Sequence, residues 1–218
     1  MSVITISREI GSEGAVVAQQ LARALDYRLI DKTMLESVLK QFGFVQFARN
    51  YEASASYWDR MDESRLEMVA TLNRVLKATA SLDNVILLGR GAFVVLGGYA
   101  NVLNVRLQAP LATRVQRVMD RRNLADRAKA EKIVKESDQV RASFIQSWYG
   151  VRWDIASYYN LVIDTSLVGS DMAVDWIVAA QKSVAQTTAD SRRDLKSLVV
   201  DDLVVMRAVQ EAFGSNGG

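Results

Sequence analysis

The chain has 218 residues, 50% of them apolar, and Lys+Arg 27 against Asp+Glu 25 gives a formal charge of +2. That length and balance suit one large globular domain, and so even a charge excludes a nucleic-acid or membrane surface built on bulk charge. Cysteine and histidine are both absent, which removes disulfides, thiolate chemistry, Cys/His zinc sites and any triad with an imidazole base.

Catalysis, if present, must therefore run on carboxylates, cations, hydroxyls, backbone amides or an oxygen-bound metal. The lack of cysteine fits a reducing cytoplasm. No apolar run reaches the roughly 18 residues a membrane span needs. The start, Met-Ser-Val-Ile-Thr-Ile-Ser, has no basic region ahead of an apolar one and reads as a strand, not a secretion signal.

In chain order, Val3 to Ser7 is a β-branched run that predicts a buried strand. A turn at Gly11, Ser12 and Gly14 follows, then helical spacing from Ala15 to Leu25. Tyr27 to Ile30 predicts a second strand, ending at Asp31. Residues 32–80 read as helices, with one stripe at Met34, Leu35, Val38 and Leu39 and another at Leu66, Val69, Leu72, Val75 and Leu76. Between them Ala48 to Ser64 has no clean period and reads as a mobile segment.

Val85 to Leu88 predicts a strand before Gly89-Arg90-Gly91, and Val102 to Leu107 another before Pro110, the single proline. Leu111 to Arg122 is helical, with Arg114, Arg117 and Arg121 on one face. Ala125 to Ile145 is a charged helix, Tyr159 to Ile163 the last strand, and Met172 to Val184 the last core helix. Strands alternating with helices predict a parallel sheet covered on both faces. A polar stretch, Gln186 to Arg193, precedes an apolar helix with Leu198, Leu203, Val204 and Val209. This tail either docks on the core, mediates an oligomer such as a homodimer, or begins a further domain.

The first turn, Ser7-Arg8-Glu9-Ile10-Gly11-Ser12-Glu13-Gly14, lies between a strand and a helix. Glycines let several amides converge there, and the helix adds its positive end, so the turn is a candidate phosphate nest. It could equally be a tight reversal.

The segments Val-Ile-Thr-Ile-Ser-Arg-Glu-Ile-Gly-Ser (3–12), Tyr-Arg-Leu-Ile-Asp-Lys (27–32), Ile-Leu-Leu-Gly-Arg-Gly-Ala (86–92), Val-Arg-Leu-Gln-Ala-Pro-Leu-Ala-Thr-Arg-Val-Gln-Arg-Val (105–118), Asp-Gln-Val-Arg-Ala-Ser-Phe (138–144) and Tyr-Asn-Leu-Val-Ile-Asp-Thr-Ser (159–166) carry a resemblance as an ordered set. The chain resembles the cytidylate kinase-like family of P-loop nucleoside-monophosphate kinases. That resemblance implies an α/β, three-layer P-loop fold over residues 1–185, with a helical acceptor-binding segment at 32–80, a helical lid at 123–157 and a helical tail at 186–218.

It further implies an ATP-dependent phosphotransferase using Mg²⁺, acting on CMP or a related small acceptor and on no nucleic acid or membrane. Donor phosphates would sit on Ser7, Arg8, Gly11, Ser12 and Gly14. Asp31, Arg90, Asp138 and Arg141 would face the acceptor. Arg8, Arg90, Arg114, Arg117 and Arg141 would serve the transferred charge, since arginine forks match phosphate oxygens. Asp164-Thr165 would close the last strand near the donor base. No metal ligand is assigned.

Other readings stand beside these. Arg114, Arg117 and Arg121 could be a solvated face, Asp138 and Arg141 could pair along one helix, and Asp31 could cap the next helix. The aromatics Trp148, Tyr149, Trp153, Tyr158 and Tyr159 could stack on a base or merely pack.

The pattern also departs from a full P-loop, Gly-x-x-x-x-Gly-Lys-Ser/Thr. Gly14 stands at the lysine position, Ala15 and Val16 at the hydroxyl positions, Glu13 where a glycine is usual, and Ser37 where cytidylate kinases carry an arginine. Arg8 could supply the missing cation from the other end of the loop. These departures leave open a non-catalytic nucleotide-binding regulatory protein.

Overall fold

In a computed structural model of the chain, which describes residues 2–47, 49, 51, 55–57, 62–186, 194, 195, 198 and 202–214, five strands form one sheet. They are β1 (Val3–Arg8), β2 (Arg28–Ile30), β3 (Val85–Leu88), β4 (Val102–Gln108) and β5 (Leu161–Asp164). Their order in space is β2-β3-β1-β4-β5, and every pairing is parallel.

Alternation along the strands sorts side chains to two faces. Ile4, Ile6, Ile86, Leu88, Leu103, Val105 and Leu107 pack with Val17, Ala18 and Leu21 of α1 (Gly14–Leu25) and with Ala173, Val174 and Ile177 of α7 (Ser170–Gln186). Val3, Val85, Leu87 and Val102 face the other way, onto α2 (Lys32–Gln41) and α3 (Glu63–Ala80). A short turn of helix, α4 (Ala92–Val95), follows β3 on that side. Both faces are covered, so the strands read as continuous apolar runs.

The hairpin of α5 (Leu111–Arg122) and α6 (Arg127–Tyr149) stands off the sheet. It has a small core of its own, Val115, Val118, Ala130 and Val134, against which Ile10 packs. Further along α6, Phe144 and Ile145 are buried in the main core. Asp126 caps α6 by accepting from the Lys129 amide, and Gly150, at φ 67°, ends it.

The predicted stripe of α3 is revised at one position: Leu66 is 52% exposed, while Met68 is buried with Val69, Leu72, Val75 and Leu76. Much of Ala48 to Ser64, read above as mobile, lies outside the described residues. Tyr51 within it is buried, its ring 5.9 Å from Phe47 and 4.9 Å from Phe144.

The tail helix α8 (Leu203–Phe213) lies on α3, with Val205, Ala208, Val209 and Phe213 in the main core. Leu203 and Val204, expected in its apolar stripe, are exposed. Arg74 of α3 pairs with Asp202 at 3.3 Å. Among the described residues no helix is long and apolar enough to cross a membrane.

Candidate active site

The turn after β1 is held from outside by arginines. The Glu9 carboxylate lies 3.1 Å from Arg106 Nη2 and 3.1 Å from Arg114 Nε, and it accepts from the Ala109 amide at 3.2 Å. Arg114 Nη1 donates to the carbonyl of Ile10 at 3.4 Å, and Arg117 Nη1 to that of Gly11 at 3.2 Å. Thr165 Oγ1 donates to the carbonyl of Ser12 at 3.1 Å.

A peptide group is planar and trans, so its N–H points opposite to its C=O. With these carbonyls turned to the bracing side, the amides of Gly11 and Glu13 face the other way. Among the described residues, the amides of Gly11, Glu13, Gly14, Ala15 and Val16 donate to no protein acceptor. They lie at the positive end of α1, an arrangement suited to anions. Gly11 is required at its place: φ is +80°, and a Cβ there would stand 2.7 Å from the Arg114 carbonyl oxygen. Buried Ser12 ties the bend by donating its hydroxyl to the Glu9 carbonyl at 2.8 Å.

Glu13 would repel phosphates if it faced them. It instead meets Arg121, with Arg117 Nε 3.7 Å away, so its charge is answered from α5.

Arg8, at the end of β1, enters the site from the strand side. A Cβ on Gly14 would stand 2.6 Å from Arg8 Cβ and Cγ, and one on Gly89 would stand 2.0 Å from Arg8 Nη1. The arginine therefore crosses one glycine and ends against another. Among the described residues it has no hydrogen-bond or ion-pair partner. Burial first, then the nearby charges of Arg141 and Arg90, push its pKa down to about 9, against the pull of Tyr51 and Asp31.

The turn after β3 runs through Gly89, Arg90 and Gly91 at φ of 83°, 55° and 78°. A non-glycine residue in that region is strained, and such strain gathers where a side chain must be aimed. Arg90 is buried, ion-paired with Glu36 of α2, and 3.7 Å from the Tyr51 ring centroid. Gly91 makes room for Tyr149, whose hydroxyl donates to Asn73 at 2.8 Å and whose pKa is pushed up by burial and by Tyr51.

Arg8 and Arg90 open on a cleft of about 840 Å³ between α2 and α6, lined also by Lys32, Tyr51, Ser56, Arg122, Glu136, Gln139 and Arg141. Among the described lining residues, five cations thus face one carboxylate, Glu136, which sits 3.8 Å from Lys132.

The structure brings Arg8, Arg90 and Arg141 together and separates them from the other candidates. Arg114 and Arg117 turn to the loop carbonyls, to Glu9, and to Thr165, whose carbonyl accepts from Arg117 at 2.7 Å. Asp138 accepts from the Ile10 amide at 3.3 Å and pairs with Arg114, fastening α6 to the turn. Arg141 donates to the Ser137 carbonyl and hydroxyl, both at 2.8 Å.

Asp31 caps α2: its Oδ1 accepts from the Thr33 and Met34 amides at 2.9 and 3.0 Å. Asp164 Oδ1 accepts from the amide and hydroxyl of Ser166. Ser7 is buried beneath the turn, and Ser37 bonds the Met34 carbonyl away from the cleft. Sequence reasoning missed Lys32, Glu36, Tyr51 and the buried Arg106, which lies 4.5 Å over Trp153. Arg106 alone left a signal, as a charge inside a buried strand.

Comparison with known proteins adds the family. The sequence pattern of the Cytidylate kinase-like family matches residues 3–167. The chain belongs to this family. A cytidylate kinase of Halobacterium salinarum is 26% identical over 180 residues, covering 82% of this chain and 88% of that protein. An uncharacterized protein from Eubacterium ventriosum superposes with a TM-score of 0.68 at 22% identity, covering 84% and 99% of the two chains. A shikimate kinase from Bacteroides thetaiotaomicron does so at 0.50 and 13% identity, covering 85% and 99%. These superpositions establish the P-loop kinase fold. With the family, they make the chain a kinase-like phosphotransferase by architecture.

Among the described residues, no three carboxylates converge as a metal cage. Ala15 and Val16 offer no hydroxyl. Mg²⁺ normally arrives on the nucleotide and keeps most of its waters, needing only one or two protein oxygens. Asp31 fits that demand, because its Oδ2 accepts no hydrogen bond among the described residues.

Proposed function

We propose that this protein transfers the terminal phosphoryl group of ATP to the phosphate of a nucleoside monophosphate, CMP or a close relative. The observation that carries this reading is the convergence of Arg8, Lys32, Arg90, Arg122 and Arg141 on a cleft where, among the described lining residues, Glu136 is the one carboxylate. The donor polyphosphate lies along the open amides at the start of α1, and the acceptor occupies the cleft. The bond between the terminal phosphorus and the bridging oxygen breaks, its electron pair leaving with ADP. An acceptor phosphate oxygen forms the new bond.

That oxygen is already deprotonated at neutral pH, so no proton need be removed. An alcohol acceptor would release a proton and call for a base. The charge balance of the cleft thus favours a phosphate acceptor. The rest of the catalysis is alignment and cationic stabilisation, the usual demand of this chemistry. Mg²⁺, carried on ATP and reached by Asp31 through water, would neutralise donor charge. A cytoplasmic location, where ATP is at hand, belongs to the same reading.

The test is ADP release with ATP, Mg²⁺ and each common nucleoside monophosphate in turn, alongside alcohol acceptors of similar size. Turnover with a pyrimidine monophosphate and none with the alcohols is expected. Turnover confined to an alcohol would overturn the reading. Gly14, Ala15 and Val16, which replace the lysine and hydroxyls of a full loop, favour a second reading, a nucleotide-binding protein without turnover. It predicts that ATP raises the melting temperature while no acceptor yields ADP.

A further inference from the structure

A P-loop normally brings its cation from the helix end, as the lysine at the position held here by Gly14. Nothing at position 14 can do that work. The two glycines whose added Cβ atoms would strike the Arg8 side chain are Gly14, on the donor turn, and Gly89, after β3. Gly14 does not adopt the positive φ that would call for glycine, whereas Gly89 does, at +83°. At position 14 the missing side chain is therefore a matter of space, and the group that fills the space is the stem of Arg8.

The guanidinium beyond it lies at the junction of the open amides and the cleft. It has no hydrogen-bond or ion-pair partner among the described residues, in contrast to Arg114, Arg117 and Arg121, each of which is ion-paired.

We infer that Arg8 has taken over the task of the loop lysine by entering from the strand end, and that its guanidinium binds the phosphoryl group being transferred, not the two phosphates that remain on ADP. This rests on the phosphotransferase reading above and deepens it. A cation at the helix end reaches phosphates lying in the loop. A cation that crosses the loop and stops at Gly89 reaches only the outermost one, on the side where Arg90 and Arg141 receive the acceptor. The depressed affinity of Arg8 for its own proton agrees with a cation desolvated by burial and crowded by Arg141 and Arg90, which together outweigh the pull of Tyr51 and Asp31, and which an incoming anion would relieve.

ADP lacks the transferred group, so it separates the two roles. Binding of ADP and of a non-hydrolysable ATP analogue is to be measured by calorimetry on the full chain, for the wild type, Arg8→Ala, Arg8→Lys and the exchange Arg8→Gly with Gly14→Lys. Arg8→Ala should weaken analogue binding by about tenfold or more and leave ADP within about twofold. It should lower turnover by roughly 10²–10³, the scale of losing one preorganised donor to the transition state. Arg8→Lys should keep part of both, and the exchange should regain analogue affinity relative to Arg8→Ala.

Equal loss of ADP and analogue would overturn the inference, as would an analogue affinity untouched by Arg8→Ala. Thermal melts distinguish an unfolded variant from a folded one, and Arg8→Lys keeps the question open to measurement if Arg8→Ala does not fold. A wild type that binds the analogue but turns over no acceptor would sink the kinase reading alone, because the ADP comparison still decides what Arg8 holds. A wild type that binds neither nucleotide would sink both.

Discussion

The guanidinium of Arg90 lies 3.7 Å from the ring centroid of Tyr51 and is ion-paired through Nη2 with Glu36. Stacking on an aromatic face and pairing with a carboxylate fix the orientation of a cation that the left-handed backbone at position 90 has already aimed.

Glu36→Gln leaves that buried cation without its counter-charge. The expected loss is about 3 kcal/mol of stability, read as a lower urea midpoint at unchanged slope. A monophosphate acceptor should restore part of it, since an anion bound to Arg90 replaces the missing charge. An unchanged midpoint would show that Glu36 is dispensable.

Glu13 sits in the donor turn and is silenced from α5 by Arg121. Arg121→Ala should weaken ATP binding several-fold, although Arg121 reaches no phosphate in this reading. Adding Glu13→Gly should reverse the loss. A double-mutant cycle in calorimetric affinities measures that coupling, and strictly additive effects would refute it.

The pKa of Arg8, lowered to about 9, predicts how anion binding depends on pH. Below that value the folded protein carries a charge it holds at a cost, and the cost fades as pH rises from the folded pKa towards the unfolded one. A polyphosphate relieves the same cost while Arg8 is charged. The rise in melting temperature given by ATP should thus be full near pH 7 and shrink through roughly pH 9–10. Arg8→Lys should shift the midpoint of that decline, and an identical decline in Arg8→Ala would assign it to other groups.

Phe213 belongs to the main core although it lies near the end of the chain. Phe213→Ala should cost about 3–4 kcal/mol, visible as a fall of several degrees in melting temperature. A change below about 0.5 kcal/mol, the scale of a surface substitution, would show that α8 contributes little.

Much of the sheet was legible in the sequence. Runs such as Val3 to Ser7 and Val85 to Leu88 are buried on both faces, so their β-branched and aliphatic content carries the signal without help from distant residues. The glycine turns after β1 and β3 were legible for a similar reason, because their backbone needs are local.

The allocation of arginines was not. Arg114 and Arg141 both stand on charged helices at helical spacing, and nothing local separates one that clamps a carbonyl from one that faces a cleft. That difference arises from the rotation of α5 and α6 about their axes, fixed by the small core of Val115, Val118, Ala130 and Val134. Tyr51 was hidden because it lies in a stretch without period, and Glu36 because its partner is 54 residues away.

Helix α6 is gripped twice, at Val134 by the hairpin core and at Phe144 by the main core. Ten residues separate those grips, a rod of roughly 15 Å, and a rod of that kind tilts before it bends. Asp138, tethered to the Ile10 amide, lies between them. Any pull on the turn after β1 is thereby levered to Phe144 and on to the Tyr51 ring 4.9 Å away, so an anion on that turn and a ligand in the cleft should sense each other's arrival through the helix as well as through Arg8.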